Sequence, residues 1–263
     1  MKPDNKCIIV VPVYHNVPDE LEQLSLKQLD KIVLDIDIYL IGPNNINYEE
    51  YSKLFSNNYV MFKKFDNKYF ESQQSYSSLC LEYDFYNYFY NSFSQYEYMM
   101  IYQTDCWIFR NEIKKFCEMG YDYIGAPIYS SGSNWPGFNN CSRPIVGNGG
   151  LSLRKISTMK KLTDKNGYLY NKYKDEWNDV KYEDMFICDV LAHDIYINIP
   201  DYRIAEQFSI DTLPIHMNKL NPMAAHRVFA LYNYWKNRIK ELNDDRILSL
   251  CKTEYEKFVS MYK

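Results

Sequence analysis

Short apolar runs that stop on polar or turn-forming residues alternate, in the first hundred positions, with segments of helical spacing. Cys7 to Val13 is apolar throughout and predicts a strand, and Tyr14-His15-Asn16-Val17-Pro18 interrupts it. Asp19 to Val33 places Leu21, Leu24, Leu26 and Leu29 as a helix would. Asp37 to Ile41 is a second strand halted by Gly42-Pro43-Asn44, and Tyr59 to Phe65 a third. The polar stretch from Glu71 to Ser78 leads into an aromatic helix from about Leu79 to Phe93, expected beneath a strand at Tyr98 to Tyr102. Strand, helix and strand in alternation imply a parallel sheet in an α/β fold.

Beyond this point the pattern predicts a short helix over Asn111 to Met119 and a strand entering a turn over Tyr121 to Pro127. A loop from Ser130 to Pro144 follows, rich in Gly, Ser, Asn and Pro and of a length that is more often functional than decorative. Val146 to Arg154 precedes a helix from Lys155 to about Leu162, and Thr163 to Lys181 is polar. Glu183-Asp184 then opens the helix-length apolar stretch Met185 to Ala192. In the tail, Phe229, Tyr232 and Trp235 are expected to face the core. No repeat or linker divides the 263 residues, which suit one large domain.

Composition narrows the function classes. A net charge of -4 without any dense Lys/Arg cluster gives no footprint for nucleic acid. The seven cysteines are odd in number, scattered and never in a C-x-x-C arrangement, so they read as reduced thiols and not as a disulfide framework or structural zinc site. The N-terminal apolar run is too short for a signal peptide core or a membrane span, and a cytoplasmic protein is expected. The 27 tyrosines accompany abundant Asn, Lys and Ile, as an AT-rich coding sequence produces, and carry no binding role by number alone. The loop after the first strand has no glycine, which disfavours dinucleotide binding.

The candidate chemistry centres on Tyr98 to Phe109, where an apolar run ends on Gln103-Thr104-Asp105. Open α/β sheets bind ligands at such strand ends, so Gln103 and Asp105 are expected to face a site. A carboxylate there suits Mg²⁺ or Mn²⁺, or else simply caps the next turn. Gly147, Gly149 and Gly150 let backbone turn sharply or approach a substrate, with Gly149 expected in the left-handed region. Glu183 and Asp184 are either chemical or stabilised by the helix dipole at their first turn. His15, His193 and His216 carry no assigned task.

Taken in order, Val11-Pro12-Val13-Tyr14, Gln103-Thr104-Asp105, Tyr123-Ile124-Gly125-Ala126-Pro127, Val146-Gly147-Asn148-Gly149-Gly150-Leu151-Ser152-Leu153-Arg154 and Glu183-Asp184 resemble the GT-A glycosyltransferases, and more narrowly the bacterial DUF5672 family. The resemblance runs from about Cys7 to about His226. It implies a mostly parallel sheet flanked by helices, with a nucleotide-binding half (about 1–105) and an acceptor or catalytic half with a helical tail (about 106–263). Pro12, Val13 and Tyr14 would line the base pocket, with Ser75 and Tyr76 near the ribose or sugar. Gln103-Thr104-Asp105 would stand in place of the D-x-D motif, a neutral amide replacing the first acid. His226 would complete the metal or diphosphate site with Asp105, their ligand atoms about 3 to 5 Å apart. Arg227 would pair with phosphate oxygens, while Asn148, Gly149 and Gly150 approach donor sugar or acceptor.

Asp184, or less readily Glu183, would be the base. The implied activity is inverting transfer of a sugar from a nucleoside-diphosphate donor, a UDP-sugar foremost, to a glycan or lipid-linked glycan in bacterial surface polysaccharide synthesis. It would need Mn²⁺ or Mg²⁺ and take place in the cytoplasm, at the inner face of the membrane. Two alternatives share the fold. One is a non-catalytic nucleotide-sugar or glycan-binding protein. The other is a nucleotidyltransferase, whose Gly-rich basic loop is absent after the first strand.

Overall fold

The first strand, β1 (Cys7–Pro12), is buried along its whole length because it sits in mid-sheet between two apolar layers. Cys7, Ile9 and Val11 point into one layer, Ile8 and Val10 into the other, as the two-residue period of a strand requires. The computed structural model describes residues 6–129, 144–211 and 219–260. The loop expected at Ser130 to Pro144 lies outside them, save for Pro144, as do His216 and Cys141.

Helix α1 (Glu20–Ile32) starts on a reciprocal cap between Asp19 and Glu22 and buries Leu21, Leu26 and Leu29. Strand β2 (Asp37–Pro43), the short α2 (Glu49–Ser52) and β3 (Val60–Phe65) follow. The aromatic helix is two helices. Ser72 and Ser75 cap each other and start α3 (Gln73–Leu79) earlier than apolar spacing shows; the chain then tightens at Leu81 and Glu82 before α4 (Tyr83–Ser92). Phe85, Tyr86 and Phe89 of α4 pack with Met99 and Ile101 of β4 (Tyr98–Tyr102), beneath that strand as expected.

After β4 come β5 (Trp107–Ile108), α5 (Ile113–Glu118), β6 (Tyr123–Gly125), β7 (Pro127–Ile128), β8 (Ile145–Val146), β9 (Leu151–Lys155) and α6 (Ile156–Leu162). The polar segment forms two short helices, α7 (Tyr168–Lys172) and α8 (Lys174–Asn178). The stretch after Glu183 is not one regular helix: α9 (Glu183–Met185) opens into a π turn over Phe186–Val190 and a tight turn over Leu191–His193. Then follow α10 (Tyr202–Phe208), β10 (Ser209–Ile210), β11 (Ala224–Ala225), α11 (Tyr232–Trp235) and α12 (Asp245–Ser260).

The main sheet has six strands in the order β3-β2-β1-β4-β9-β6. Strands β3, β2, β1 and β4 are parallel, and β9 alone runs against its neighbours β4 and β6. The sheet is therefore mostly parallel, with a single reversal. That reversal brings the start of β9 to the carboxyl end of β4, where Tyr102 pairs with Leu151. A second sheet, β10-β11-β5, has two residues per strand. It is walled by Phe229, Trp235, Ile239, Leu242 and Cys251, so Phe229 and Trp235 are core residues while Tyr232 is half-buried against them. All six described cysteines are buried, and none of them is in a disulfide. Among the described residues no helix is long and apolar enough to cross a membrane.

Candidate active site

The turn after β4 is fixed from beneath. Ser25 of α1 donates to the Cys106 carbonyl at 2.7 Å, Tyr102 Oη donates to the same oxygen at 3.0 Å, and Thr104 Oγ1 donates to Glu22 Oε1 at 2.9 Å. The Cys106 amide closes the turn on the Gln103 carbonyl at 3.0 Å. Gln103 and Asp105 are thereby held at the carboxyl edge of the sheet.

Pairing in the second sheet brings the C-terminal segment to the same place. Ala225 lies opposite Trp107, the His226 amide donates to the Ile210 carbonyl at 2.9 Å, and the Val228 amide donates to the Asp105 carbonyl at 3.0 Å. His226 Nε2 stands 3.2 Å from Asp105 Oδ1 and 3.1 Å from Gln103 Oε1. Its Nδ1 meets Asp211 Oδ1 at 2.8 Å, and Arg227 Nε approaches that oxygen at 3.3 Å. Burial would lower the imidazole pKa, but Asp105 and Asp211 outweigh it and hold it at about 9. Burial would conversely raise the two carboxyls; His226 keeps Asp105 low, and Arg227 with His226 does the same for Asp211.

A spacing of 3.2 Å between Oδ1 and Nε2 suits two ligands of one ion as well as an ion pair. Two observations favour a cation. Asp105 Oδ1 is buried and meets His226 Nε2 as an ion-pair partner outside good hydrogen-bond geometry, although 45% of the side chain is exposed. The Asp211 carboxylate behind Nδ1 is the partner a metal-bound histidine ordinarily has, with a cation at Nε2 replacing its proton. The donor set of carboxylate, amide oxygen and imidazole fits Mn²⁺ or Mg²⁺. Cys106 Sγ lies within 4.8 Å of the Asp105 and His226 ligand atoms, but it faces the Gly150 carbonyl and burial pushes its thiol pKa well up.

The cluster opens into a cavity of about 580 Å³. Tyr14 and Tyr76 line it with Phe70, ring against ring edge, at centroid distances of 5.9 and 6.1 Å from Tyr14. Arg227 lines it too, its guanidinium over the Phe258 ring of α12, and Glu254 and Lys257 of that helix complete the wall. Of the residues the sequence pointed to, Tyr14, Tyr76, Gln103, Thr104, Asp105, His226 and Arg227 all line this cavity.

Others stand elsewhere. Pro12 and Val13 are buried in and just beyond β1 and do not line the cavity, because a central strand has no free face. Ser75 is spent on capping α3 with Ser72 and faces a separate groove beside Lys68 and Trp177. Glu183, the lesser candidate base, is buried and engaged at both oxygens, with Arg154 Nη2 at 2.8 Å on one and Ser77 Oγ at 2.8 Å on the other. Arg154, wholly buried, also donates to Ser152 at 2.9 Å and Tyr86 at 3.0 Å.

Asp184 remains half-buried outside the cavity lining, accepting the Gly149 amide at 2.7 Å and its neighbour Met185's at 2.8 Å. Burial and then Glu183 lift its carboxyl pKa to about 7. Asn148 is buried, its Oδ1 accepting the Gly150 amide at 3.1 Å. Gly149 is not in the left-handed region; among the described residues only Gly120 and Arg227 have positive φ. The glycines are needed for close approach instead. A Cβ on Gly150 would collide with His226 Nε2 and stand 2.6 Å from Gln103 Oε1, and one on Gly149 would stand 2.8 Å from Glu183 Oε1. The sequence reading missed Asp211, Arg154 and the α12 wall, whose places depend on pairing and packing between segments far apart in the chain.

A search of curated protein sequences found no match. Among solved structures, mouse xyloside xylosyltransferase 1 in its apo form is similar at a TM-score of 0.51 and 10% identity, over 84% of this chain and 97% of that one. Likeness at this identity is one of fold, and the fold is GT-A-like. Weaker matches are the glycosyltransferase GlyE of Streptococcus pneumoniae TIGR4 (TM-score 0.45, 16% identity, 85% of this chain and 54% of that) and the Mn/GDP-form of core-mannan synthase A from Aspergillus fumigatus (0.45, 10%, 67% and 64%). The chain thus spans less than two thirds of the length of either of these. The family model described as "Protein of unknown function (DUF5672)" matches residues 59–226, more than half of the sequence and ending on His226 itself, and the chain belongs to that family.

Proposed function

We propose that the protein is a metal-dependent glycosyltransferase that moves a sugar from a nucleoside-diphosphate donor to a glycan or lipid-linked glycan hydroxyl. The observation that carries this reading is the incompletely satisfied cluster of Asp105, His226 and Gln103 at the carboxyl end of β4, open to a cavity with aromatic rings on its wall. Such rings suit a nucleobase, and the cation-lined part suits phosphate. On this reading the base and diphosphate lie chiefly over the half before Asp105.

Asp105 and His226, with Gln103 beside them, are the residues that would hold Mn²⁺ or Mg²⁺. When bound, the ion neutralises charge on the departing diphosphate. Arg227 shares that task through its guanidinium. The acceptor oxygen bonds to the anomeric carbon as the bond from that carbon to the diphosphate breaks, and the acceptor proton passes to a carboxylate. Asp184 is the member of the acidic pair suited to receive it, since its pKa near 7 matches a general base and its partners are two backbone amides. Glu183 is tied to Arg154 and Ser77 and serves the loop. A single base gives inversion. On this reading the setting is bacterial surface polysaccharide synthesis, with a UDP-sugar as the first donor to test.

The test is turnover of a panel of nucleotide sugars by the purified chain with Mn²⁺, with Mg²⁺ and with chelator. Ion-dependent release of nucleoside diphosphate is expected. Donor binding without turnover for every sugar and acceptor supplied would favour the non-catalytic binding protein instead.

A further inference from the structure

We propose that Asp211 is a positioning residue, one buried carboxylate that sets both the His226 imidazole and the Arg227 guanidinium toward the cavity. The inference extends the metal-dependent reading above to a residue outside the cavity lining. Asp211 is 3% exposed, and a single oxygen, Oδ1, meets His226 Nδ1 at 2.8 Å and Arg227 Nε at 3.3 Å. Successive side chains of an extended chain point to opposite sides, so two neighbours do not ordinarily reach one atom. Here they do, because Arg227 takes the left-handed conformation, φ 53°, that non-glycine residues rarely adopt. A backbone of this kind persists where its surroundings fix it. The surroundings are identifiable: the His226 amide is held by the Ile210 carbonyl, Ile210 pairs with Ala225, and the Arg227 guanidinium rests on the Phe258 ring.

The geometry has a chemical consequence. With Nδ1 donating to Asp211, the ring plane is fixed and Nε2 is the nitrogen presented to Asp105, Gln103 and any cation between them. The same carboxylate keeps Arg227 from folding back over the ion site. Asp211 touches neither donor nor ion on this account and acts through its two partners.

The test uses the full chain with Asp211→Ala and Asp211→Asn. Titration calorimetry with MnCl₂ alone measures ion affinity, and nitrogen-edited proton spectra of the ion-free protein follow the His226 Nδ1 proton, assigned with His226→Ala. In Asp211→Ala the protected Nδ1 proton resonance should vanish and Mn²⁺ should bind about 10- to 100-fold more weakly. Asp211→Asn, whose amide oxygen still accepts from Nδ1, should keep the resonance and lose less affinity; it carries the test should the alanine variant not fold. A folded Asp211→Ala that retains the resonance, or wild-type Mn²⁺ affinity in both variants, overturns the proposal. Failure of the wild type to bind Mn²⁺ overturns the metal reading alone, because the Nδ1 proton still decides the role of Asp211.

Discussion

Two carboxylate-cation clusters flank Gly149 and Gly150, and they differ in how completely their hydrogen bonds are made. On one side Glu183 and Arg154 are sealed, each oxygen of the acid and each nitrogen of the guanidinium having a partner. On the other, Asp105 Oδ1 meets His226 Nε2 only as a loosely aligned ion-pair partner, and that nitrogen faces two oxygens at the mouth of a cavity. Buried polar groups are ordinarily satisfied, and an exception calls for an explanation. The sealed cluster is explained by the shape of the loop it holds. The open one is where the proposed ion would complete the set. Proximity in sequence to a conspicuous motif thus misleads where charge pairing does not: Glu183 stands beside Asp184, yet its charge is paired with the Arg154 guanidinium.

The largest effect expected from breaking this contrast is in Arg154→Met, which strands Glu183 as an unpaired buried charge. Removing one partner of a buried pair costs about 3 to 5 kcal/mol, to be read from the denaturant midpoint at unchanged slope. A loss under about 1 kcal/mol would put this pair in the same class as surface ion pairs and dissolve the contrast. Gly150→Ala should cost less stability, about 1 to 3 kcal/mol for overpacking, yet abolish Mn²⁺ binding by pushing His226 and Gln103 aside. Retained ion affinity in that variant would show that the close approach is not needed.

Asp105→Asn should leave stability within about 1 kcal/mol, since nearly half of the side chain is exposed, while removing ion-dependent donor binding. Unchanged ion dependence in calorimetry would take Asp105 out of the site. Asp184→Asn is read in the pH dependence of stability. The folded carboxyl is raised to about 7 from an unfolded value of about 3.9, so between these the folded state holds a proton that the unfolded state lacks. Its contribution to stability therefore declines as pH rises from about 4 to about 7, and the Asn variant should show a flatter profile. Donor affinity should survive and sugar transfer be lost; equal transfer rates in variant and wild type would remove Asp184 as the base.

The sequence carried the scaffold further than the site. The helix α1, to within a residue at each end, and the strand at Tyr98 to Tyr102 were legible because helical spacing and apolar runs are local signals. The direction of β9 was not, since an apolar run marks a strand without saying which way its neighbour runs. Gly149 shows a different limit. Glycine was read as a conformational need, whereas the need comes from Glu183, 34 positions away in sequence, whose Oε1 occupies the space of a Cβ. Asp211 was invisible for the same reason: nothing near it in sequence shows that β10 will lie beside β11. The strand-end triplet was read from its own apolar run, whereas Tyr14, Tyr76, His226 and Arg227, which line the same cavity, came from the resemblance carried by the order of motifs along the chain.

The smallness of the β10-β11-β5 sheet has a consequence for motion. Each of its strands is two residues long, and the His226 and Val228 amides hang on one carbonyl apiece, while β1 and β4 lie inside a six-stranded sheet buried on both faces. Segments with few backbone bonds open by local unfolding at lower free energy than the core. Deuterium should therefore enter the His226 and Val228 amides well before those of Val10 or Ile101. Gentle warming should disperse the cluster of Asp105, His226 and Asp211 while the large sheet stays folded. Loss of ligand binding would then precede the melting transition, and the temperature gap between them would measure how loosely the last strand is fastened.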